Sequence, residues 1–412
     1  MKIAVVCKSD SNGGAAVVSR RLTDALRSEG YDATLLVTDK KTADPYVVRA
    51  RFPLLRPLAF LAERLQIFLS NGFSRKNLFK ADTGAFGLPL YRLPEIREAD
   101  TVILNWVNQG TLSLKGIEKI CRMGKNVIWI MHDMWNLTGI CHHAMECRRF
   151  TAECGNCRLL GRHASGHDLS YATRLRKKRL YTRNSIRFVA VSTWLKRQAE
   201  ASSLLRGQTV DVIPNPFNFK PLPERIRKPG ERKKILFAAA TLDNWIKGIE
   251  TFKKAVGILA DKYPETASET EIRLMGEVKN PESIEGFRLP TCYLGTVSGE
   301  EALAAVFGEC DVVVNCSHFE NLPGVLVEGQ AYGSVPVAFD RGGQSDIIDH
   351  LDTGYLAAWD DDEERRAANI AEGMAWALAQ PDDIRCRMRR KAEEKFAAKE
   401  VVKKITDIGK LF

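Results

Sequence analysis

Short apolar runs alternate with longer stretches of helical periodicity along almost the whole chain. Apolar runs of strand length bounded by turn residues predict buried strands, and their alternation with helices predicts doubly wound α/β units. In the first half the pattern predicts strands near residues 3–7, 33–37, 101–104, 126–131 and 188–191. It restarts at 234–240, with further strands near 272–275, 291–294, 311–315 and 335–339. Between the halves lies the proline-dense run Asn215-Pro216-Phe217-Asn218-Phe219-Lys220-Pro221-Leu222-Pro223, followed by the charged stretch 224–234. Proline density and the change in composition place a boundary near residue 217. An amphipathic pattern over 382–411 predicts a helical end to the sequence.

Length agrees with this division, because 412 residues exceed one compact core and fit two domains. Apolar content of 45% and charged content of 27% are ordinary for soluble globular proteins. Residues 1–7 begin directly as a strand, which predicts no signal peptide, and no apolar run is long enough to span a bilayer. Ten cysteines without a secretory signal argue for reduced thiols or a metal and against a disulfide framework. The formal charge of +10 favours an anionic partner, whether membrane lipid, diphosphate or nucleic acid, and does not choose among them.

The most informative chemistry lies in the run His318-Phe319-Glu320-Asn321-Leu322-Pro323-Gly324-Val325-Leu326-Val327-Glu328. A predicted strand precedes it and a helix is predicted to begin at the Asn-Leu-Pro-Gly turn, where Pro323 suits the first turn because its missing N–H needs no partner. A helix N-terminus after a strand favours a phosphate, through free N–H groups and the helix dipole. A carboxylate beside a phosphate is repulsive unless hydroxyls donate to it, so Glu320 and Glu328 point to a sugar nucleotide. The alternative is two surface carboxylates that meet no ligand.

Three more loops carry candidate chemistry. Gly13-Gly14 follows the first strand, and paired glycines let the backbone approach a ligand. The loop lacks the G-x-G-x-x-G spacing, which weighs against a dinucleotide site. His132 stands at the carboxyl end of a strand, before Asp133-Met134-Trp135, where open α/β sheets bind ligands. Lys247, in Asp243-Asn244-Trp245-Ile246-Lys247-Gly248, is a flexible point charge suited to a diphosphate leaving group. The acidic run Asp360-Asp361-Asp362-Glu363-Glu364 precedes a predicted helix at 365–380 and reads as its cap, not as a metal site. With no other convincing acidic pair after a strand, no catalytic divalent metal is expected.

Cys141, Cys147, Cys154 and Cys157 fall close together, with Cys154-Gly155-Asn156-Cys157 as a knuckle. Four soft ligands fit a structural Zn²⁺, with His142 or His143 able to replace one thiolate. Free thiols, a redox pair and an iron–sulfur cluster are the competing readings. Residues 51–69 mix large apolar side chains with cations and are read two ways, as a helix in a membrane interface or as one packed on its own domain. A second tract, 173–187, holds seven Lys or Arg and no acid, and reads as a lipid-facing or solvated helix face.

The Glu320–Glu328 run resembles the E-x7-E motif of retaining GT-B glycosyltransferases of family four, and the resemblance extends along nearly the whole chain. Gly13-Gly14 and His132-Asp133 match that family's first-domain loops, and Ile213-Pro214-Asn215-Pro216 is similar to its interdomain segment. Lys247-Gly248 matches its diphosphate lysine, and Ala331-Tyr332-Gly333-Ser334-Val335-Pro336-Val337 the run after the second Glu. Residues 132–157 look most like the branch that builds capsular and colanic-acid-type exopolysaccharides. The resemblance implies a GT-B architecture, two Rossmann-like doubly wound domains facing a central cleft. Residues 1–217 would bind the acceptor and carry the Cys-rich insert at about 141–157, 218–385 would bind the nucleotide sugar, and 386–412 would cross back to the first domain.

It also implies roles. His132, Glu320 and Lys247 form the catalytic set, with Glu320 on sugar hydroxyls and Lys247 on the diphosphate. Gly13, Gly14, Lys247, Asn321, Leu322, Gly324, Val325 and Glu328 bind the donor, with Glu328 at the ribose. Many members carry an Arg five residues before the Lys. Here that place is Leu242, so a second cation is missing or comes from elsewhere, with Arg341 as candidate. The function implied is transfer of a glycosyl unit from a nucleotide-diphosphate sugar to a saccharide or lipid-linked hydroxyl, with retention, in cell-surface polysaccharide biosynthesis. The place implied is the cytoplasm, at the inner face of the plasma membrane if the protein docks there, with no nucleic-acid partner. Rival readings are a GT-B nucleotide-sugar epimerase or hydrolase, and a basic zinc-containing nucleic-acid-binding protein.

Overall fold

The computed structural model describes residues 1–222, 225 and 228–409. They form two compact units, Met1–Pro216 together with the chain from Ala398 onward, and Phe217–Ala397. Each is built on one parallel sheet. The first sheet contains β1 (Lys2–Ser9), β2 (Asp32–Asp39), β3 (Val47–Arg49), β4 (Thr101–Leu104), β5 (Asn126–Met131), β6 (Arg187–Ala190) and β7 (Val210–Val212). Its order is β3-β2-β1-β4-β5-β6-β7. The second contains β8 (Lys233–Thr241), β9 (Thr270–Glu277), β10 (Thr291–Gly295), β11 (Val312–Asn315), β12 (Val335–Phe339) and β13 (Tyr355–Ala357), in the order β10-β9-β8-β11-β12-β13. Both orders run outward from the first strand and then reverse, which is the doubly wound topology.

Every strand expected from the apolar pattern is present. The pattern misses β3, β7 and β13, which have three residues each and lie at sheet edges. Such short strands carry too little periodicity to stand out from a loop. The central strands are buried on both faces, as parallel strands covered by helices must be. In the second unit Phe237 of β8 stacks on Phe252 of the following helix at 4.8 Å between centroids. In the first, Trp129 of β5 packs between Trp135, Tyr181 and Phe188.

The boundary drawn at residue 385 falls inside a helix. Ile384–Phe396 packs on the helix Gly324–Tyr332 within the second unit, and only the helix Ala398–Gly409 belongs to the first. There it packs on the helix Gly14–Ser28, and Asn126 Nδ2 donates to the Gly409 carbonyl at 3.1 Å. The part of the expected terminal helix beyond residue 409 lies outside the described residues. The tract 173–187 is a solvated face only in part, since Lys178, Arg179 and Arg183 are exposed and other cations are not. Residues 173–183 of it lie on the helix Leu169–Arg183, whose Arg174 and Lys177 are buried, and Arg187 opens β6. Lys177 Nζ donates to the carbonyls of Trp135 and Thr138 and stands 3.5 Å from the centroid of the Trp135 ring.

Candidate functional site

In the second unit the strand order reverses between β8 and β11, and the crevice beyond the carboxyl ends of such strands is where open α/β sheets take ligands. Lys247 comes from the loop after β8 and Glu320 from the loop after β11. Lys247 Nζ lies 2.5 Å from Glu320 Oε1, in a pair that is partly shielded from solvent. Backbone geometry sets this approach. His318 N–H donates to the Ile246 carbonyl at 2.7 Å. Gly248 has φ +73°, and a Cβ there would lie 2.3 Å from the Cys316 carbonyl oxygen. Glycine is therefore required for the two loops to touch. On the other side of Glu320, a Cβ at Gly342 would lie 2.1 Å from the Glu320 carbonyl oxygen, so the loop after β12 presses on the same residue.

The helix Gly324–Tyr332 begins immediately beyond, with Pro323 as its N-cap residue and no side chain capping it. Its first N–H groups have no intrahelical partners, the arrangement that suits an anion. Asn321 and Leu322 are buried, Gly324 is exposed and Val325 and Glu328 are half-buried. Gly329 lets this helix lie against β11, since a Cβ there would meet Val313 Cγ1 at 2.4 Å. Glu320 and the helix start thus share one loop with Lys247 beside it, and Glu328 follows on the helix.

Leu242 is fully buried in the core of this unit, which explains why no cation stands there. Arg341 stacks on the Trp359 ring, 3.5 Å from its centroid, in the loop that contacts Glu320. Sequence reasoning missed the aromatic side of the site. His318 lies edge-on to Trp245 and Trp359, at 5.8 and 5.4 Å between centroids. Burial lowers the His318 pKa, and Arg366 and Arg341 add to this, so the ring is neutral at neutral pH. Asp362 accepts from the Arg365 N–H at 2.9 Å and caps the helix Glu363–Leu378.

The first unit holds the remaining residues. Gly13, at φ +85°, ends β1's loop and is the N-cap of the helix Gly14–Ser28, again with no side-chain cap. Asp10 holds this loop by accepting from the N–H groups of Lys41 and Thr42. His132 follows β5, and its Nε2–H donates to Asn105 Oδ1 at 2.8 Å. Burial pushes its pKa down to about 4, so the ring is a neutral imidazole at neutral pH.

Beside His132 is a buried network that the sequence did not reveal. Asp133 accepts from Trp135 N–H and Trp106 Nε1, and its Oδ2 lies 2.7 Å from His142 Nδ1. The other ring nitrogen of His142 is 2.6 Å from Asp82 Oδ2. Burial alone would discharge His142, yet the two carboxylates outweigh it and push its pKa up to about 10. Burial would likewise raise the Asp133 pKa, and the His142 imidazolium holds it well below the usual carboxylate range. Asp82 also pairs with Arg64. With both nitrogens committed, His142 is not available as a metal ligand, which corrects its assignment as a substitute for a thiolate.

Cys141, Cys147, Cys154 and Cys157 line one cavity of about 30 Å³. Gly139 N–H donates to Cys154 Sγ at 3.2 Å, and burial pushes the Cys141 and Cys157 thiols up to about 12 and 11. Among the described residues no group of three or more His, Cys, Asp or Glu is arranged so that it could hold a metal ion. The four thiols share a cavity without forming a coordination sphere. No helix of the described residues is long and apolar enough to cross a membrane.

Residues 232–375 match the family model of glycosyl transferases group 1. The matched stretch lies within the second unit. No curated protein matches the chain. Among solved structures, the chain is similar to Anabaena HepE in complex with UDP-glucose, at 14% identity and a TM-score of 0.61, with all of both chains covered. It is similar to sucrose-phosphate synthase from Thermosynechococcus elongatus, at 15% identity and a TM-score of 0.63, over 99% of this chain and 98% of that one. It is also similar to a point mutant of S. aureus TarM, solved with fondaparinux, alpha-GlcNAc-glycerol and UDP, at 12% identity and a TM-score of 0.64, over 99% and 100%. Identities this low speak to fold, and the fold is GT-B: two Rossmann-like units on parallel sheets.

Proposed function

We propose that this protein is a retaining glycosyltransferase that moves a sugar from a nucleotide diphosphate to a hydroxyl of a saccharide or lipid-linked saccharide, in cell-surface polysaccharide synthesis. The observation that carries the reading is the Lys247–Glu320 pair at the switch point of the second sheet, beside an uncapped helix start. A cation and a helix N-terminus can neutralise the charge that grows on a departing diphosphate. A carboxylate next to them accepts hydrogen bonds from sugar hydroxyls. In this reading Lys247 exchanges part of its contact with Glu320 for the diphosphate as the donor enters. The N–H groups of Leu322, Gly324 and Val325 hold the distal phosphate, Asn321 supports that loop, and Glu328 holds the ribose.

The resemblance to family-four enzymes assigns His132, a neutral imidazole, to the transferred sugar and Gly13 and Gly14 to the donor. The protein's contribution is orientation and preorganised charge, with no divalent ion in the transfer step. One structural zinc in the cysteine cavity belongs to the same reading, and its support is the cavity that the four thiols share.

The test is release of nucleoside diphosphate from a panel of nucleotide sugars, with uridine donors first, with and without saccharide acceptor. Acceptor-dependent release with a new glycosidic product supports transfer. Release at the same rate without acceptor would instead show a hydrolase. Stabilisation of the fold by nucleoside diphosphates in a thermal-shift assay checks donor binding separately.

A further inference from the structure

The helix Leu55–Ser70 presents its polarity in reverse. Its buried residues are Glu63, Arg64 and Ile67. Leu54, Leu55, Leu58, Leu61, Leu65 and Leu69 are between 46% and 79% exposed. Their spacing of three to four residues sets most of them on one face of the helix. A helix that packs on its own domain does the opposite, burying its leucines and leaving its charges in water.

The charged face is what fastens this helix. Glu63 accepts from the N–H groups of Thr83, Gly84 and Gly110, each at 2.8 or 2.9 Å. Arg64 pairs with Asp82 and donates to the Ala81 carbonyl. The helix backbone lies so close to Gly110 that a Cβ there would come within 2.7 Å of Phe60 N. Turning the helix to hide its leucines would strand Glu63 and Arg64 and leave three N–H groups without their acceptor, a large cost for buried polar groups. The apolar face is therefore fixed outward.

Phe73 and Phe79 are exposed in the segment that follows. Arg51, Arg75, Lys76 and Lys80 are exposed as well, and the only acid between residues 51 and 81 is the buried Glu63. We infer that this face docks on the surface of an anionic lipid bilayer, with the leucines and phenylalanines at the acyl boundary and the four cations among headgroup phosphates. A second copy of the chain would bring like charges together around the same patch, which disfavours self-association.

The helix is also joined to the network beside His132. Arg64 holds Asp82, Asp82 holds His142, and His142 holds Asp133 next to His132. Docking deepens the proposed function by selecting acceptors that present their hydroxyls at a membrane, and it rests on that function for this clause alone.

The experiment is flotation of the full chain with vesicles of phosphatidylcholine, with or without phosphatidylglycerol, in the absence of donor and acceptor. The chain is expected to float with the anionic vesicles and not with phosphatidylcholine alone. The variant Leu58→Ser/Leu61→Ser/Leu65→Ser is expected to lower the bound fraction roughly ten-fold or more. Its thermal midpoint should fall only modestly, because those side chains are 55% to 60% exposed and serine costs a little helix propensity. Arg75→Glu/Lys76→Glu is expected to weaken the preference for anionic lipid. Failure of the wild type to float, or equal flotation of the serine variant, overturns the inference. A wild-type dimer in light scattering that the serine variant dissolves overturns it too, by assigning the face to a second copy. Flotation without any sugar transfer would overturn only the transferase reading.

Discussion

Lys247 Nζ and Glu320 Oε1 lie 2.5 Å apart although 73 residues separate them in the chain. A cation and a carboxylate, assigned in the proposed function to a diphosphate and to sugar hydroxyls, neutralise each other where both loops leave the switch point of the sheet. The pair is a poised arrangement, because each partner keeps the other in place and can re-pair with a ligand of matching charge.

Lys247→Ala should weaken nucleoside diphosphate binding, Glu328→Ala should do the same through the ribose, and Glu320→Ala should mainly lower turnover. Each removes a charge-assisted hydrogen bond, worth about 1.5–3 kcal/mol. Titration calorimetry with nucleoside diphosphate and steady-state rates separate the three. Unchanged nucleotide affinity in Glu328→Ala would sink the ribose assignment.

Gly248→Ala tests the loop contact itself. At φ +73° and 2.3 Å from the Cys316 carbonyl, an added methyl group must push the Lys247 loop away from Glu320. The expected result is a protein that folds, with lower stability and a loss of nucleotide affinity comparable to that of Lys247→Ala. Wild-type affinity in this variant would show that the contact does not position the lysine.

The pH dependence follows from His132. Its pKa in the folded protein is about 4, below the ordinary 6.5, so the folded state favours the neutral ring. Its contribution to stability is therefore complete above about pH 6.5 and is lost as pH falls towards 4, because only the unfolded chain takes up the proton there. Asn105→Asp places a carboxylate at the Nε2 contact and should raise this pKa and lower turnover at neutral pH. The ring C–H resonances, followed by NMR, report the titration directly.

Elemental analysis of protein purified without added metal should find one zinc per chain. Serine at Cys154 or Cys157 should abolish it and loosen the insert. A metal-free, fully active preparation, or an iron–sulfur absorption band, would refute the assignment.

Transfer should proceed without Mg²⁺ or Mn²⁺ if, as proposed, Lys247 and the helix start at Gly324 take the diphosphate. A mild chelator should leave the rate nearly unchanged. A large loss restored by Mg²⁺ would assign the diphosphate to a metal ion, which the absence of a cation at Leu242 makes the sharpest challenge.

Much of the architecture was legible along the chain, because contiguous residues encode it. Each central strand is a run of apolar residues bounded by turns, and the loops after β1, β5, β8 and β11 declare themselves through Gly13-Gly14, His132, Lys247-Gly248 and Glu320 to Gly324. Three edge strands escaped notice because three residues make no period.

What local sequence could not convey is which groups meet across long separations. His142 looked like a spare metal ligand beside Cys141, and only folding brings Asp82, sixty residues earlier, to its second nitrogen. The apolar residues of 55–69 announced an amphipathic helix, and the pattern left open which face the domain would cover. That was settled by Glu63 and Arg64, whose partners Thr83, Gly110 and Asp82 lie beyond the helix. A hydrophobic pattern states which side of a helix avoids water. The buried charges, which tolerate no orientation without partners, decide which side the protein keeps for itself.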